Sequence, residues 1–248
     1  MNQHYRFALV GAAVAAFAGL AQAGISQNVL SIDVSWEGGS TTWSLDREQL
    51  QQDPNDPAHF WWEPSSDIQI ASGIELRRGT GSDRTRIEIF EDPEVIVNFN
   101  VFSAQQNSVF TVNSALVSFA QLNNPVGVAS AAVSVTDLSG NGATYTPNGL
   151  GGQAYTAFYN TSTSEFAQLL SSPLTTLPFS TNSYSQDFPI AGTQGIAGSV
   201  DDISARWTFT LSQNALATGT SVFTVVVPTP ASGLLLGAGV LVAGRRRR

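Results

Sequence analysis

The residues of this chain that could carry out chemistry are few, and the first is a lone histidine, His59. Outside the first 23 residues it is the only histidine, and the chain contains no cysteine. A Ser-His-Asp triad would have to use His59, yet no G-x-S-x-G motif supplies a nucleophile. A single loop histidine is usually solvated or packed, so the sequence predicts no catalytic triad. Multi-histidine and cysteine metal sites are excluded by the counts.

Carboxylates in loops offer a second kind of chemistry, because calcium prefers hard oxygen ligands. Asp53, Asn55 and Asp56 lie close together in the Pro-rich segment DPNDPAHFWWEP, which we interpret as a loop. Similar acidic pairs surround Pro93 and occur at residues 201–202. The composition therefore indicates no resident cofactor, with calcium as the one candidate ion.

The segment DLSGNG gives the sharpest calcium pattern. Asp137, Ser139, Asn141 and Gly142 imitate the opening of an EF-hand loop, but position twelve is Asn148 instead of the bidentate Glu. Flanking helices are not predicted either. We therefore favour a Gly-Asn-Gly hairpin turn here, with Asp137 and Asn141 kept as candidate calcium ligands.

Sugar chemistry needs either two carboxylates across a cleft or exposed aromatic rings. Fifteen carboxylates lie at or before Asp137, but nothing in the sequence pairs them. Trp61 and Trp62 are adjacent, so in an extended segment their side chains point to opposite sides. At least one of them is expected to be exposed, which makes the pair a candidate ligand-binding site. Trp43 and Trp207, at alternating positions, are expected to be core residues.

The elements that must position these residues are strands, since apolar residues recur with a period of two. In the segment ISARWTFTL the apolar side chains alternate with polar ones, as on a sheet with one buried and one solvated face. A hairpin is predicted at residues 30–45, around the turn EGGS. Further strands are predicted over 68–76, 84–91, 95–102, 109–119, 126–136, 154–160, 203–211 and 222–227.

About nine short strands separated by turn residues predict an all-β fold, a single antiparallel β-sandwich of jelly-roll-like arrangement. One helix is predicted over 164–171, beginning with a capping-box pattern of Ser162 and Glu165 and ending before Pro173. Residues 138–200 contain only two carboxylates and many Gly, Ser, Thr and Asn residues. We expect this region to hold the long loops.

The charge between residues 24 and 227 restricts the partners. Six arginines stand against nineteen carboxylates, which gives 6 − 19 = −13, and the chain has no lysine. Nucleic-acid binding needs clustered cations, so it is excluded as a function class. Anionic lipid and acidic polysaccharide would also be repelled, and the surface charge is typical of a protein kept soluble outside the cell.

Both ends of the chain look like targeting segments. Residues 1–23 are interpreted as a secretory signal peptide, with a weakly basic start, an apolar stretch over 7–20 and an A-Q-A cleavage site. Near the other end, residues 231–244 carry no charge and would form a helix of about 21 Å, shorter than the ~30 Å membrane core. The arginine block after this segment, at the cytoplasmic side, favours a transmembrane helix over a buried one. That block consists of Arg245, Arg246, Arg247 and Arg248.

The order of Pro-x-Pro, short apolar helix and arginine cluster resembles the PEP-CTERM sorting signal of exported proteins of Gram-negative bacteria. Val227, Pro228, Thr229 and Pro230 keep both prolines of that signal, with Thr229 where the family has Glu. The resemblance implies export by the secretion machinery and recognition by a membrane protease-transpeptidase of the exosortase type. The alternative is a permanent C-terminal anchor.

The predicted organisation is therefore a signal peptide over 1–23, a β-sandwich over 24–227 and a sorting tail over 228–248. Such a protein would be held briefly in the inner membrane and then delivered to the cell surface or extracellular matrix. We expect a non-enzymatic surface or matrix protein. Two alternatives remain open: a carbohydrate-binding module or adhesin that contacts extracellular polysaccharide, and a secreted hydrolase.

Overall fold

A computed structural model describes residues 24–90, 93–161 and 163–228, and these residues form an all-β protein. Strands account for 64% of the structure, in two antiparallel sheets. The all-β fold class predicted from the period-two pattern is confirmed. Within the described residues no helix is long and apolar enough to cross a membrane. The predicted signal peptide and transmembrane helix lie outside those residues.

The described residues form twenty strands and three short 3₁₀ turns. The first ten strands are β1 (Gly24–Ile25), β2 (Asn28–Trp36), β3 (Gly39–Asp46), β4 (Gln51–Asp53), β5 (Asp56–Trp62), β6 (Ile68–Ala71), β7 (Ile74–Leu76), β8 (Arg86–Phe90), β9 (Glu94–Ser103) and β10 (Ser108–Ser114). The others are β11 (Val117–Asn123), β12 (Val126–Asp137), β13 (Thr144–Pro147), β14 (Tyr155–Tyr159), β15 (Ser164–Leu169), β16 (Leu174–Thr175), β17 (Thr181–Phe188), β18 (Gln194–Gly195), β19 (Ser199–Leu211) and β20 (Ala215–Val226). The 3₁₀ turns are Arg47–Gln49, Gly81–Asp83 and Leu150–Gly152.

Each sheet is organised around one long strand. In the first sheet the order is β1-β11-β19-β10-β2-β3, and β13 and β14 also pair with β19, with β16 and β15 beyond them. In the second sheet the order is β17-β12-β20-β9-β8-β5-β4, with the β6–β7 hairpin attached to β9 and β18 attached to β12. Strand β20 pairs along its length with β12 on one side and β9 on the other.

The core lies between the two sheets and is rich in aromatic rings. Phe99 of the second sheet packs edge-on against Trp207 of the first, with ring centroids 5.2 Å apart, and stacks on Phe209 at 5.6 Å. All three side chains are fully buried. The Trp207 Nε1–H donates to Ser221 Oγ at 3.1 Å, so the one polar atom of that ring has a partner in the opposite sheet.

The loops collect at two opposite ends of the strands. Ala215 pairs with Ser103 and Asp137 at one end of β20, whereas Val226 pairs with Val126 at the other. Twelve residues at about 3.3 Å per residue make β20 roughly 37 to 40 Å long. We call the end at Ala215 the loop end. The end at Val226 is the tail end, because the chain leaves there towards the C-terminus.

Three expectations about local structure are wrong. The helix predicted over 164–171 is the strand Ser164–Leu169, because pairing with β14 buries Ala167 and Leu169 on one face. The Pro-rich segment predicted as a loop is the β4–β5 hairpin. The DLSGNG segment is not a hairpin turn, since β12 before it and β13 after it belong to different sheets.

The uncharged region 138–200 also differs from its prediction. Its described residues form the six strands β13 to β18 and the start of β19, instead of long loops. Short hydroxyl and amide side chains are compatible with a sheet face exposed to solvent, as β17 shows with the sequence TNSYSQDF and mostly exposed residues. Absence of charge therefore did not distinguish loops from solvent-facing strands.

Candidate functional site

The tryptophan pair lies on β5, and its two rings point to opposite faces of the strand. Trp62 is buried, and its ring centroid lies 5.7 Å from that of Trp43. Trp61 is partly exposed on the outer face, where the Arg86 guanidinium lies 4.8 Å from the ring centroid. Of the predicted pair only Trp61 is therefore accessible to a ligand, and one face of its ring already contacts a cation.

His59 lies beside Trp61 on the same outer face and is held between two carboxylates. Its Nδ1 is 3.4 Å from Asp53 Oδ2, and its Nε2 is 3.1 Å from Glu88 Oε2. The ring stacks on Phe90 with centroids 4.2 Å apart. Both nitrogens are thus occupied by acids on neighbouring strands, and neither faces a serine or threonine hydroxyl. The histidine connects β4, β5 and β8.

The carboxylates of the Asp53, Asn55 and Asp56 group accept hydrogen bonds from within their own hairpin. The Asn55 N–H donates to Asp53 Oδ1 at 2.8 Å, and the Ala58 N–H donates to Asp56 Oδ1 at 3.0 Å. The bond from the Asn55 N–H, together with the contact to His59, lowers the pKa of Asp53. Each carboxylate accepts from a main-chain N–H two residues further on, the arrangement of turn residues.

Asp137 is buried at the loop end and accepts four hydrogen bonds. Its Oδ1 accepts from the Ser139 N–H at 3.1 Å and the Ser139 hydroxyl at 3.0 Å. Its Oδ2 accepts from the N–H groups of Gly140 and Phe179, each at 2.8 Å. Although burial raises the pKa of Asp137, the backbone N–H bonds outweigh it and lower that pKa to about 2.

This bonding shows what Asp137 does locally. With its lone-pair positions occupied by donors, the carboxylate fixes the DLSGNG turn and the segment before β17 to each other. Calcium would have to displace these bonds. Among the described residues there is also no group of three or more His, Asp or Glu side chains that could hold a metal ion. The geometry gives the calcium hypothesis no support at Asp137.

A polar cleft of about 520 Å³ opens beside the Asp137 turn, at the loop end. Four connections form its walls: the β2–β3 turn, the β9–β10 turn, the segment after Asp137 and the β19–β20 turn. Asn141, predicted as a calcium ligand, lies in this wall. The side chains that line the cleft include Glu37, Gln105, Gln106, Asn141, Ser212 and Gln213.

The walls of this loop-end cleft are tied together, while several of its side chains remain free. Asn107 Oδ1 accepts from the Gln213 N–H at 3.1 Å, and Ser212 Oγ accepts from the Thr144 N–H at 2.9 Å. Within the described ranges, the side chains of Glu37, Gln105, Gln106, Asn141 and Gln213 make no hydrogen bond to protein. Their polar groups therefore point into solvent from a fixed frame.

Phe179 is the most unusual residue near the cleft. Its side chain is 74% exposed, and its backbone has φ of 54°, in the left-handed region that non-glycine residues rarely adopt. The ring lies against Gly140, where an added Cβ would come within 2.5 Å of ring carbons. Gly140 stands between two cleft residues, Ser139 and Asn141. Sequence reasoning missed Phe179, although LPF is an apolar group within a polar segment.

The sorting motif is described only in part. Val227 is 51% exposed, and Pro228 follows it where the chain leaves the tail end of the fold. Thr229, Pro230 and the four arginines at 245–248 lie outside the described residues. The interpretation of this tail therefore remains a prediction.

The chain matches no protein-family model, and no curated protein is similar to it.

Proposed function

We propose that this chain is an exported, non-enzymatic surface or matrix protein that is sorted by its C-terminal tail. The proposal includes the signal peptide over 1–23, the jelly-roll-like arrangement of the sandwich, and a transmembrane helix between Pro230 and Arg245. An exosortase-type protease-transpeptidase would recognise the VPTP segment once the secretion machinery has delivered the chain to the membrane.

The observation that supports this proposal best is the way the chain leaves the fold. Strand β20 lies between β12 and β9, so the last strand before the tail is central in its sheet. Val226 and Val227 are nevertheless about half exposed at its end. The described start of the sorting motif, at Val227, is therefore accessible without unfolding any described strand.

The geometry of the acids and of His59 favours a non-enzymatic role. The histidine is held by Asp53 and Glu88, and the Asp137 carboxylate is saturated by four donors. The one described histidine has a carboxylate at each ring nitrogen, and the Ser139 hydroxyl that donates to Asp137 therefore has no histidine base. A secreted hydrolase would have to use other carboxylates, and no described pair faces across a deep pocket.

The test is mass spectrometry of the mature protein recovered from its native cell. We expect an N-terminus at Gly24 and a C-terminus that has lost Arg245 to Arg248. A matched variant replaces the four arginines by serine and should keep the N-terminal cleavage but lose surface display. An intact C-terminus in the native protein would instead establish a permanent anchor, and an intact N-terminus would refute export by this route.

A further inference from the structure

We infer that the loop-end cleft is a binding site for an uncharged saccharide chain. The site consists of Gln105, Gln106, Asn141 and Gln213 as hydrogen-bonding groups. Phe179, whose ring lies against Gly140 between two cleft residues, is the aromatic platform beside it. It is separate from the outer face of β5 that carries Trp61. Binding at this cleft does not depend on the proposed sorting, whereas the orientation of the cleft relative to a membrane does.

The side-chain chemistry of the cleft matches sugar hydroxyls. Each primary amide offers two N–H donors and a carbonyl acceptor, and a hydroxyl group can satisfy both kinds at once. Four such amides from three separate turns converge on one cavity of about 520 Å³, a size typical of small-molecule sites. Because they make no hydrogen bond to the described protein residues, a ligand would not have to break internal bonds to reach them.

The frame around these amides is already organised. Bonds between Asn107 and Gln213 and between Thr144 and Ser212 join the turns that carry them. Asp137 fixes the third wall through its bonds to the DLSGNG turn and to Phe179. A binding site whose backbone is fixed before the ligand arrives loses less entropy on binding than a mobile one.

Phe179 supplies the apolar surface that a pyranose ring needs. Both the solvent exposure of the Phe179 ring and its left-handed backbone conformation are energetically unfavourable. The buried Asp137 carboxylate nevertheless holds this conformation by accepting from the Phe179 N–H at 2.8 Å. Leu177, 76% exposed, lies in the same connection. The C–H face of a sugar stacks on such a ring much as other apolar surfaces do.

The net negative charge of the protein favours an uncharged ligand over an anionic one. The region between residues 24 and 227 carries a formal charge of −13, from 6 arginines and 19 carboxylates. Glu37 is the one charged side chain in the cleft wall. A uronic-acid or sulfated chain would be repelled, whereas a neutral chain would not.

The position of the cleft fits display. It lies at the loop end, and the tail leaves from the other end of β20, roughly 37 to 40 Å away at about 3.3 Å per strand residue. In a protein held by its C-terminal tail, the cleft would face away from the membrane. A second cavity, on the hydroxyl-rich outer face of the second sheet beside Ser134 and Thr218, has no such amide cluster.

The experiment measures binding of neutral hexasaccharides to the purified full chain by isothermal titration calorimetry. Cellohexaose, xylohexaose, mannohexaose, maltohexaose and hexa-N-acetylchitohexaose are the ligands, and alginate hexamer is the acidic control. The detergent must be zwitterionic, because maltoside headgroups are themselves saccharides. We expect at least one neutral chain to bind and the alginate hexamer not to bind.

Two variants locate the binding. The double variant Gln105→Ala/Gln213→Ala removes amides from facing walls and should abolish detectable binding. Phe179→Gly removes the ring while keeping the left-handed backbone favourable, and should weaken binding about tenfold. The matched control is Gln194→Ala, an exposed amide at the tail end, which should bind like the wild type. Circular dichroism establishes that each variant is folded.

Two outcomes would overturn the inference. One is the absence of binding to every neutral chain in the set at about 10 mM ligand, well above the millimolar Kd of the weakest specific sites. The other is binding that persists in the cleft variants and disappears in Trp61→Ala, which would place the site on the sheet face. Because this assay uses purified protein, its failure is distinguishable from a failure of tail sorting, which is read on cells.

Discussion

The contact between Gly219 and Phe99 offers a sharp test of how the two sheets fit together. The two residues are paired across β20 and β9, and the Phe99 ring lies over the glycine. A Cβ built at Gly219 would come within 2.2 Å of Phe99 Cζ and 2.4 Å of Cε1. The ring has little freedom to move, because it packs against Trp207 and Phe209. Gly219→Ala should therefore overpack the core.

The size of the effect follows from two opposing terms. Overpacking a well-filled core costs about 1 to 3 kcal/mol, and the confined ring puts this case near the upper value. Replacing glycine by alanine within a strand returns about 0.5 to 1 kcal/mol through reduced chain entropy. The net loss should be roughly 2 kcal/mol, or about 4 to 8 °C in Tm for a domain of this size.

The assay is thermal and chemical denaturation of the full chain, with two further variants. Gly195→Ala is the control, since its Cβ would meet nothing within 4 Å, and its stability should change by less than about 0.5 kcal/mol. The double variant Gly219→Ala/Phe99→Leu should lose about 1 kcal/mol less unfolding free energy than the sum of the two single-variant losses. A Gly219→Ala protein as stable as the wild type would refute the close packing described here.

Four further outcomes are expected from the same protein. The pKa of Asp137 is lowered from 3.8 to about 2. Its ionised carboxylate therefore stabilises the fold above pH ~4, and this stabilisation is lost as the pH falls towards 2. Asp137→Asn should flatten the dependence of Tm on pH in that window. Burial raises the pKa of Asp202, so its ionised form destabilises the folded state at neutral pH. Asp202→Asn should raise Tm at pH 7, because the amide oxygen can still accept from the Thr161 N–H. A lower Tm for this variant would contradict this account. The hydroxyl of fully buried Tyr145 has no hydrogen-bond partner among the described residues, so Tyr145→Phe should leave unfolding free energy unchanged or raise it by about 1 kcal/mol. EDTA should not lower Tm, and a clear decrease would restore the calcium hypothesis.

Much of the fold could be predicted from the alternation of apolar and polar residues along the longest strands. The hairpin around Gly38 was predicted and is present as β2 and β3, with Trp36 opposite Gly39. Alternating side chains also identified β19, although it begins four residues earlier than predicted. These strands are long and half-buried, so their apolar faces appear directly as period-two patterns.

Short strands and hairpins defined by tertiary pairing escaped prediction. The β4–β5 hairpin carries Pro54 and Pro57, which suggested a loop, yet Pro57 precedes the residues of β5 that pair with β8. The Ser162 and Glu165 pattern suggested a helix start over a segment that pairs with β14 instead. In both cases the deciding interactions come from strands distant in the sequence, and local propensity does not contain them.

The candidate site was harder still to predict. Its walls come from turns near residues 37, 105, 141 and 213, which share no sequence motif and meet only when both sheets are complete. Phe179 carried a local signal as an aromatic residue in a polar segment. What could not be read was its conformation, because that depends on a buried carboxylate 42 residues earlier, Asp137.

The placement of β20 has a mechanical consequence. If the tail is tethered while a ligand holds the far end, the pulling force acts along this strand. Its backbone hydrogen bonds to both neighbours are then loaded in shear, and they must break together instead of opening one after another like a zipper. The protein would resist stretching between cell and matrix more strongly than it would resist peeling at an edge strand such as β3 or β4.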